Sequence, residues 1–166
     1  MWWQYIVTLV IALVSVWFAQ WLSTRREYRK ALENLRSEVS TNIRNSDLTN
    51  KWIDTNLNAL ERGKTVVASC PHLYDSAWVS ARGVVASRDY SIATKMEDAY
   101  GFLVVINDLL RTIEELKWGA GAAMTGSTQS KITVFKAMRE AINKGLLPNL
   151  IEVKTLLDKK LKLSSP

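Results

Sequence analysis

The chain is poor in the residues that build disulfides, structural zinc sites and breaks in helices. Its 166 residues include one cysteine, Cys70, and one histidine, His72. A single cysteine excludes a disulfide within the chain, and one Cys with one His cannot supply the usual ligands of structural zinc. With only three prolines and seven glycines, long helices are permitted. We therefore predict one domain without metal or disulfide.

Charge is absent from residues 2–22. As a helix these about 21 residues span roughly 31 Å, which matches a bilayer core of about 30 Å. Trp2 and Trp3 stand at the start and Trp17 and Trp21 near the end, and tryptophan prefers the headgroup level. The start lacks basic residues and the end lacks the small residues of a signal cleavage site. We predict an uncleaved transmembrane anchor over residues 1–23, with these tryptophans at its two interfaces.

Small residues form a stripe along this segment. Thr8, Ala12, Ser15 and Ala19 follow one another at steps of four, three and four, so they share one helix face. Such a stripe allows a second membrane helix to approach closely. Small residues are also common in membrane helices that make no such contact, so both interpretations stay open.

Basic residues follow the apolar segment and none precedes it. The group comprises Arg25, Arg26, Arg29 and Lys30. The positive-inside rule therefore predicts a single-pass protein of the cell membrane, with its N-terminus outside and its C-terminal domain in the cytoplasm. These side chains either bind anionic lipid head groups, at about 1 kcal/mol each, or only mark topology. The net charge of +6 includes a second basic group at residues 159–162.

Apolar residues recur at steps of three and four through most of the remaining chain, which is typical of helices. The predicted helices cover residues 22–45, 49–62, 73–87, 91–118, 131–144 and 148–161. A break is expected near Ser46, and stops are expected at Gly63 and Gly145. No alternating strand pattern occurs. We predict an all-α protein whose transmembrane helix continues into a cytoplasmic bundle of four or five helices, residues 24–163, with a flexible loop at about 119–130.

Three short segments carry a resemblance to known sequences. They are LRSEVSTN (residues 35–42), LYDSAW (residues 73–78) and AYGFLVVIN (residues 99–107). Together with the anchor and its basic edge, they resemble a scattered group of small uncharacterised prokaryotic membrane proteins. In that group a single anchor precedes a helix bearing L-x-x-E-[IV]-x-x-N. The resemblance implies no activity, and it suggests that Asn42 and Asn107 form buried polar contacts between helices.

Three functional hypotheses follow from these features. The first is a non-enzymatic membrane protein whose bundle binds a protein partner, forms a homo-oligomer or serves as an accessory subunit, with no cofactor and no catalytic residues. The second is an enzyme or regulator acting on lipid at the membrane surface, using the basic edge and the polar groups near residues 70–74, where Cys70 and His72 would be its candidate catalysts. The third is nucleic-acid binding through basic residues. Because these residues adjoin the anchor, we predict that lipids are contacted and nucleic acid is not.

Overall fold

The computed structural model describes residues 2–64, 70–118 and 128–163, and every regular element within these ranges is a helix. The elements in chain order are α1 (Trp2–Glu61), α2 (Ser76–Ala86), α3 (Tyr90–Trp118), α4 (Thr128–Glu140), a π-helical turn (Ala141–Leu146) and α5 (Leu147–Leu163). The predicted all-α class is therefore confirmed.

Helix α1 runs for 60 residues without interruption, so the break predicted near Ser46 is wrong. Neither proline nor glycine occurs within it. Ser46 and Thr49 are buried, and the Thr49 hydroxyl donates to the carbonyl of Asn45 at 2.8 Å, one turn back. Thr49 thus bonds to the backbone of the existing helix, in which it is an interior residue. The apolar segment and the bundle consequently share one helix.

Helix α1 ends at Glu61, and Gly63 follows it as the predicted stop. This glycine has a φ of +68°, in the left-handed region where a side chain would be strained. Its N–H donates to Leu60 at 3.0 Å, and the N–H of Lys64 donates to Ala59 at 2.8 Å. These bonds satisfy carbonyls that the last turn would otherwise leave without a partner.

The core lies where the apolar faces of α1, α3, α4 and α5 meet. Its fully buried large side chains are Phe135, Leu32, Leu35, Ile53, Ile92, Met96, Leu103, Ile106, Met138, Ile142, Leu146 and Leu150. Helix α3 confirms the strongest periodic pattern, since it covers the predicted residues with one more at its start. The loop expected at about 119–130 falls mainly on residues 119–127, which lie outside the described residues, and Thr128 already begins α4.

The chain segment from α4 to α5 runs antiparallel to α1. Arg139 pairs with Asp54 at 2.7 Å, and further along Arg36 pairs with Asp158. Along this contact the residue numbers decrease on α1 while they increase from α4 to α5, so the two segments run in opposite directions. As a result, the end of α5 returns towards the apolar segment of α1.

Gly145 does not end a helix, which corrects the predicted stop. The backbone passes from α4 through the π-helical turn directly into α5, with Pro148 in the first turn of α5. Gly145 is buried, and a Cβ placed there would overlap the ring of Phe102 on α3. The glycine thus serves a close approach between two helices. Pro148 follows this π-helical turn closely, and it has no N–H with which to continue the backbone hydrogen bonds.

Candidate functional site

The apolar part of α1 projects beyond the bundle. Where side chains are described from Trp2 to Trp21, all are exposed, and the helix is long and apolar enough to cross a membrane. Trp2 and Trp3 stack with their ring centroids 5.8 Å apart, and Trp17 is also exposed. A core helix of a globular domain would bury this surface, whereas this helix leaves it uncovered. The assignment of the four tryptophans to two membrane interfaces stays a prediction.

The small-residue stripe lies on the same uncovered surface. Thr8, Ala12, Ser15 and Ala19 are exposed to the surroundings of the projecting helix. Their spacing keeps them on one face because α1 is regular over this range. A contact with another membrane helix through this stripe therefore stays a prediction.

The basic edge begins directly after the apolar segment. Arg25, Arg26 and Lys30 are exposed and Arg29 is half-buried. The guanidinium of Arg25 lies 5.5 Å from the ring centroid of Trp21, a cation–π contact. Arg29 forms an ion pair with Glu33 at 3.1 Å. The edge is thus partly ordered by neighbours on its own helix.

A fifth basic residue joins this edge from a distant part of the sequence. Arg88 lies in the turn between α2 and α3, and its guanidinium stands 5.5 Å from the ring centroid of Tyr28. A groove with a volume of about 570 Å³ opens at this contact. It is lined by Trp21, Leu22, Arg25, Arg26, Tyr28, Arg29 and Arg88. Sequence reasoning missed Arg88 because no local pattern links it to the apolar segment.

The basic group near the end of α5 reaches the same end of the bundle. Lys160 binds Asp89 at 2.8 Å, next to Arg88 in the turn between α2 and α3. The hydrogen bond and the negative charge of Asp89 raise the pKa of Lys160, so its ammonium stays charged. Burial, followed by the charge of Asp89, raises the pKa of Tyr28. Two basic groups that are far apart in the sequence therefore meet at the end nearest the apolar segment.

A buried carboxylate connects three helices deeper in the bundle. Glu38 of α1 accepts hydrogen bonds from the N–H groups of Ala77 at 2.6 Å and Trp78 at 3.2 Å. It also accepts from the Ser76 hydroxyl at 3.2 Å and from the Tyr100 hydroxyl. The first N–H groups of a helix lack partners within the helix and favour a negative charge. Glu38 therefore caps α2 from another helix.

Tyr100 of α3 completes this cluster. Its burial and its hydrogen bond to Glu38 raise the pKa of the phenol well above the usual value. The hydroxyl therefore remains a proton donor to the carboxylate at neutral pH. The Asn42 side-chain nitrogen lies 3.5 Å from the same hydroxyl. The cluster is thus a closed set of donors and acceptors that holds α1, α2 and α3 together.

Asn42 and Asn45 extend the cluster along α1 to the segment before α2. Asn42 donates to the Tyr74 carbonyl at 2.7 Å and accepts from the Tyr74 N–H at 2.8 Å. Asn45 donates to the His72 carbonyl at 2.7 Å. The buried role predicted for Asn42 is confirmed, whereas Asn107 is exposed and its predicted burial is wrong. The three segments that carried the resemblance meet at this cluster.

Cys70 and His72 do not adjoin the basic edge. The Cys70 sulfur lies 3.5 Å from the Pro71 carbonyl, and the exposed His72 ring packs edge-on against Tyr74 at 4.8 Å. His72 is held at the level of Asn45, which is 16 residues beyond Arg29 on α1. At 1.5 Å per residue this separation is about 24 Å. The two groups of the second hypothesis therefore do not form one site.

A groove between α2 and α3 is another concave surface beside the cluster. Val79 and Val104 are exposed on its walls, and an ion pair between Arg82 and Glu97 at 2.8 Å borders it. The groove has a volume of about 440 Å³. An apolar strip bordered by opposite charges is typical of a surface that contacts another protein.

Comparison of the chain with protein-family models, with curated proteins and with solved structures finds no match.

Proposed function

We propose that this chain is a single-pass membrane protein whose helical bundle acts as an interaction module or accessory subunit of a membrane assembly. The observation that carries the proposal is the single uninterrupted helix α1. Before Trp21 it is apolar and, where its side chains are described, exposed, and from Leu32 onwards it has a buried face. The exposed part is long enough to cross a membrane. With the basic edge inside, the bundle lies in the cytoplasm.

The chemistry of the bundle supports a binding role. The polar side chains of the buried cluster form hydrogen bonds with one another and with the backbone around α2. These side chains are Glu38, Asn42 and Tyr100. These polar groups therefore stabilise the fold, and Tyr100 also lines the groove between α2 and α3. The exposed valines between α2 and α3, Val79 and Val104, supply an apolar surface for a protein partner.

The test is co-purification of the full chain from gently solubilised membranes. Val104→Glu places a charge in the groove between α2 and α3, and Thr112→Glu places the same charge on an exposed position two turns further along α3. We expect a partner, or a second copy of the chain, to be lost with Val104→Glu and retained with Thr112→Glu. A wild-type protein that stays monomeric and alone under every mild condition would refute the proposal.

The single cysteine offers a direct test of topology. Cys70 is half-buried, so a membrane-impermeant maleimide can reach it from the side on which the bundle lies. We expect labelling in inverted membrane vesicles and none in intact cells. A Cys70→Ser chain carrying Lys51→Cys, at an exposed position on α1, controls for slow reaction at the native thiol. Labelling of both chains in intact cells would reverse the orientation.

One observation favours a second function, that of a regulator or enzyme acting on lipid. The groove beside Tyr28 gathers arginines from α1 and Arg88 at the level where lipid head groups would lie. If Cys70 and His72 served such an activity, Cys70→Ala and His72→Ala would each abolish it. Nucleic-acid binding ranks last, because the converging basic groups face the apolar segment, and steep salt dependence of binding would be its signature.

A further inference from the structure

We propose that the groove between the first turns of α1 beyond the apolar segment and the turn between α2 and α3 binds the phosphate-bearing head group of an anionic phospholipid. Arg25 and Arg88 are the principal phosphate ligands. The proposal rests on the proposed membrane anchoring, and it adds a specific site and Arg88 to what the basic edge alone implies.

The height of the groove fits the headgroup layer. Arg25 lies three residues beyond Leu22, or about 4.5 Å along the helix, and Tyr28 lies about 9 Å beyond it. The polar layer on each side of a bilayer core is about 5 to 8 Å thick. Arg25 therefore stands inside that layer. The Arg88 guanidinium, held beside Tyr28, stands at its outer boundary.

Three of the four arginines that line the groove are available for an anionic ligand, while Arg29 is paired with Glu33. Within the described part of the chain, no ion pair engages Arg25, Arg26 or Arg88. Arg25 and Arg88 instead rest on the rings of Trp21 and Tyr28, which hold each guanidinium in place from one side. A guanidinium binds phosphate oxygens through two parallel N–H donors.

The walls of the groove distinguish a lipid from free phosphate. Trp21 and Leu22 line the same groove as the arginines, on the side of the apolar segment. Below the phosphate of a phospholipid lie its glycerol and upper acyl carbons, which these side chains would contact. A free phosphate ion uses only the arginines and leaves this apolar wall in water.

The experiment measures how strongly the full chain prefers phosphatidylglycerol over phosphatidylcholine. The protein is reconstituted into phosphatidylcholine bilayer discs that contain some phosphatidylglycerol, and bound lipid is counted by native mass spectrometry. We expect Arg88→Gln to lower the preference about fivefold, the effect of one basic residue near an anionic surface. Arg111→Gln is the matched control, since it removes the same charge from exposed α3 about 31 Å further from the membrane.

The possible outcomes distinguish a failure of the lipid site from a failure of the membrane anchor. A fivefold loss for Arg88→Gln, a further loss when Arg25→Gln is added, and no change for Arg111→Gln support the site. An unchanged preference in Arg88→Gln overturns it, as does displacement of the lipid by inorganic phosphate, which would make free phosphate the ligand. A separate extraction with alkaline carbonate tests the anchor. Release of the wild-type protein from membranes in that extraction would overturn both the anchor and the lipid site.

Discussion

Replacing Glu38 by glutamine tests whether a single carboxylate holds three helices together. The carboxylate accepts from two backbone N–H groups of α2, from the Ser76 hydroxyl and from the Tyr100 hydroxyl. A glutamine has nearly the same shape, but it keeps one acceptor oxygen and presents N–H donors where the other oxygen was. Donors on that side of the side chain therefore lose their acceptor, and the first turn of α2 loses a negative charge.

The magnitude follows from the number and type of the bonds. Hydrogen bonds to a charged group contribute about 1.5 to 3 kcal/mol each, and a buried donor left without a partner costs about 1 to 3 kcal/mol. Because glutamine preserves part of the network, we expect Glu38→Gln to lower the free energy of unfolding by about 3 kcal/mol. With a slope of about 1 to 3 kcal/mol per molar urea, the unfolding midpoint falls by roughly 1 to 3 M.

The assay is urea unfolding of the full chain in detergent, followed by circular dichroism. Glu33→Gln is the matched control, because it removes the same charge from an exposed position on α1 and breaks only the ion pair with Arg29. An exposed pair of this spacing contributes about 0.3 to 0.5 kcal/mol. Equal midpoints for Glu38→Gln and Glu33→Gln would refute the conclusion that Glu38 organises the bundle.

Further predictions concern the same cluster and one close helix contact. The pKa of Tyr100 is raised in the folded state, so the contribution of the phenol to the free energy of unfolding is complete below about pH 10. Above that pH the contribution is lost by up to about 1.4 kcal/mol per pH unit. We therefore expect the free energy of unfolding of Tyr100→Phe to fall less steeply at alkaline pH than that of the wild type. Asn42→Ala removes both bonds to Tyr74 and should lower the free energy of unfolding by about 2 kcal/mol; a midpoint within error of wild type would contradict this. Gly145→Ala should destabilise by about 1 to 3 kcal/mol through overlap with Phe102, and Phe102→Ala in the same chain should recover part of the loss; no recovery in thermal unfolding would contradict the overlap.

Local periodicity predicted helices well where the apolar pattern was long. Helix α3 follows its pattern closely, because each turn repeats the same apolar face. The break expected near Ser46 shows the limit of such reasoning. Serine, aspartate and threonine favour helix starts locally, but here Asn45 and Thr49 bond to the 70–75 segment and to the helix itself. Those partners are remote in sequence or depend on burial, which the local pattern does not contain.

The sequence contains a local signal for the polar cluster, whereas it contains none for the basic groove. Glu38 lies on the same helix face as Leu35 and Val39, and a charge within an apolar stripe indicates a buried partner. Its partners, however, come from α2 and α3. Arg88 reaches the basic edge only because α2 runs back towards the apolar segment, and Lys160 does so because α5 is antiparallel to α1. Such pairing of distant helices follows from tertiary packing, which no single segment specifies.

The continuity of α1 places the apolar segment and the bundle in one rotational register. Each residue of a helix rotates by about 100° around the helix axis and rises by 1.5 Å along it. The direction in which Thr8, Ala12 and their stripe face is therefore fixed relative to the groove between α2 and α3. One residue inserted after Leu22 would rotate the bundle by about 100° around the helix axis relative to the apolar segment. Four inserted residues would leave the bundle within about 40° of its original orientation. A partner that contacts both the membrane segment and the bundle thus meets a single, preset angle between them.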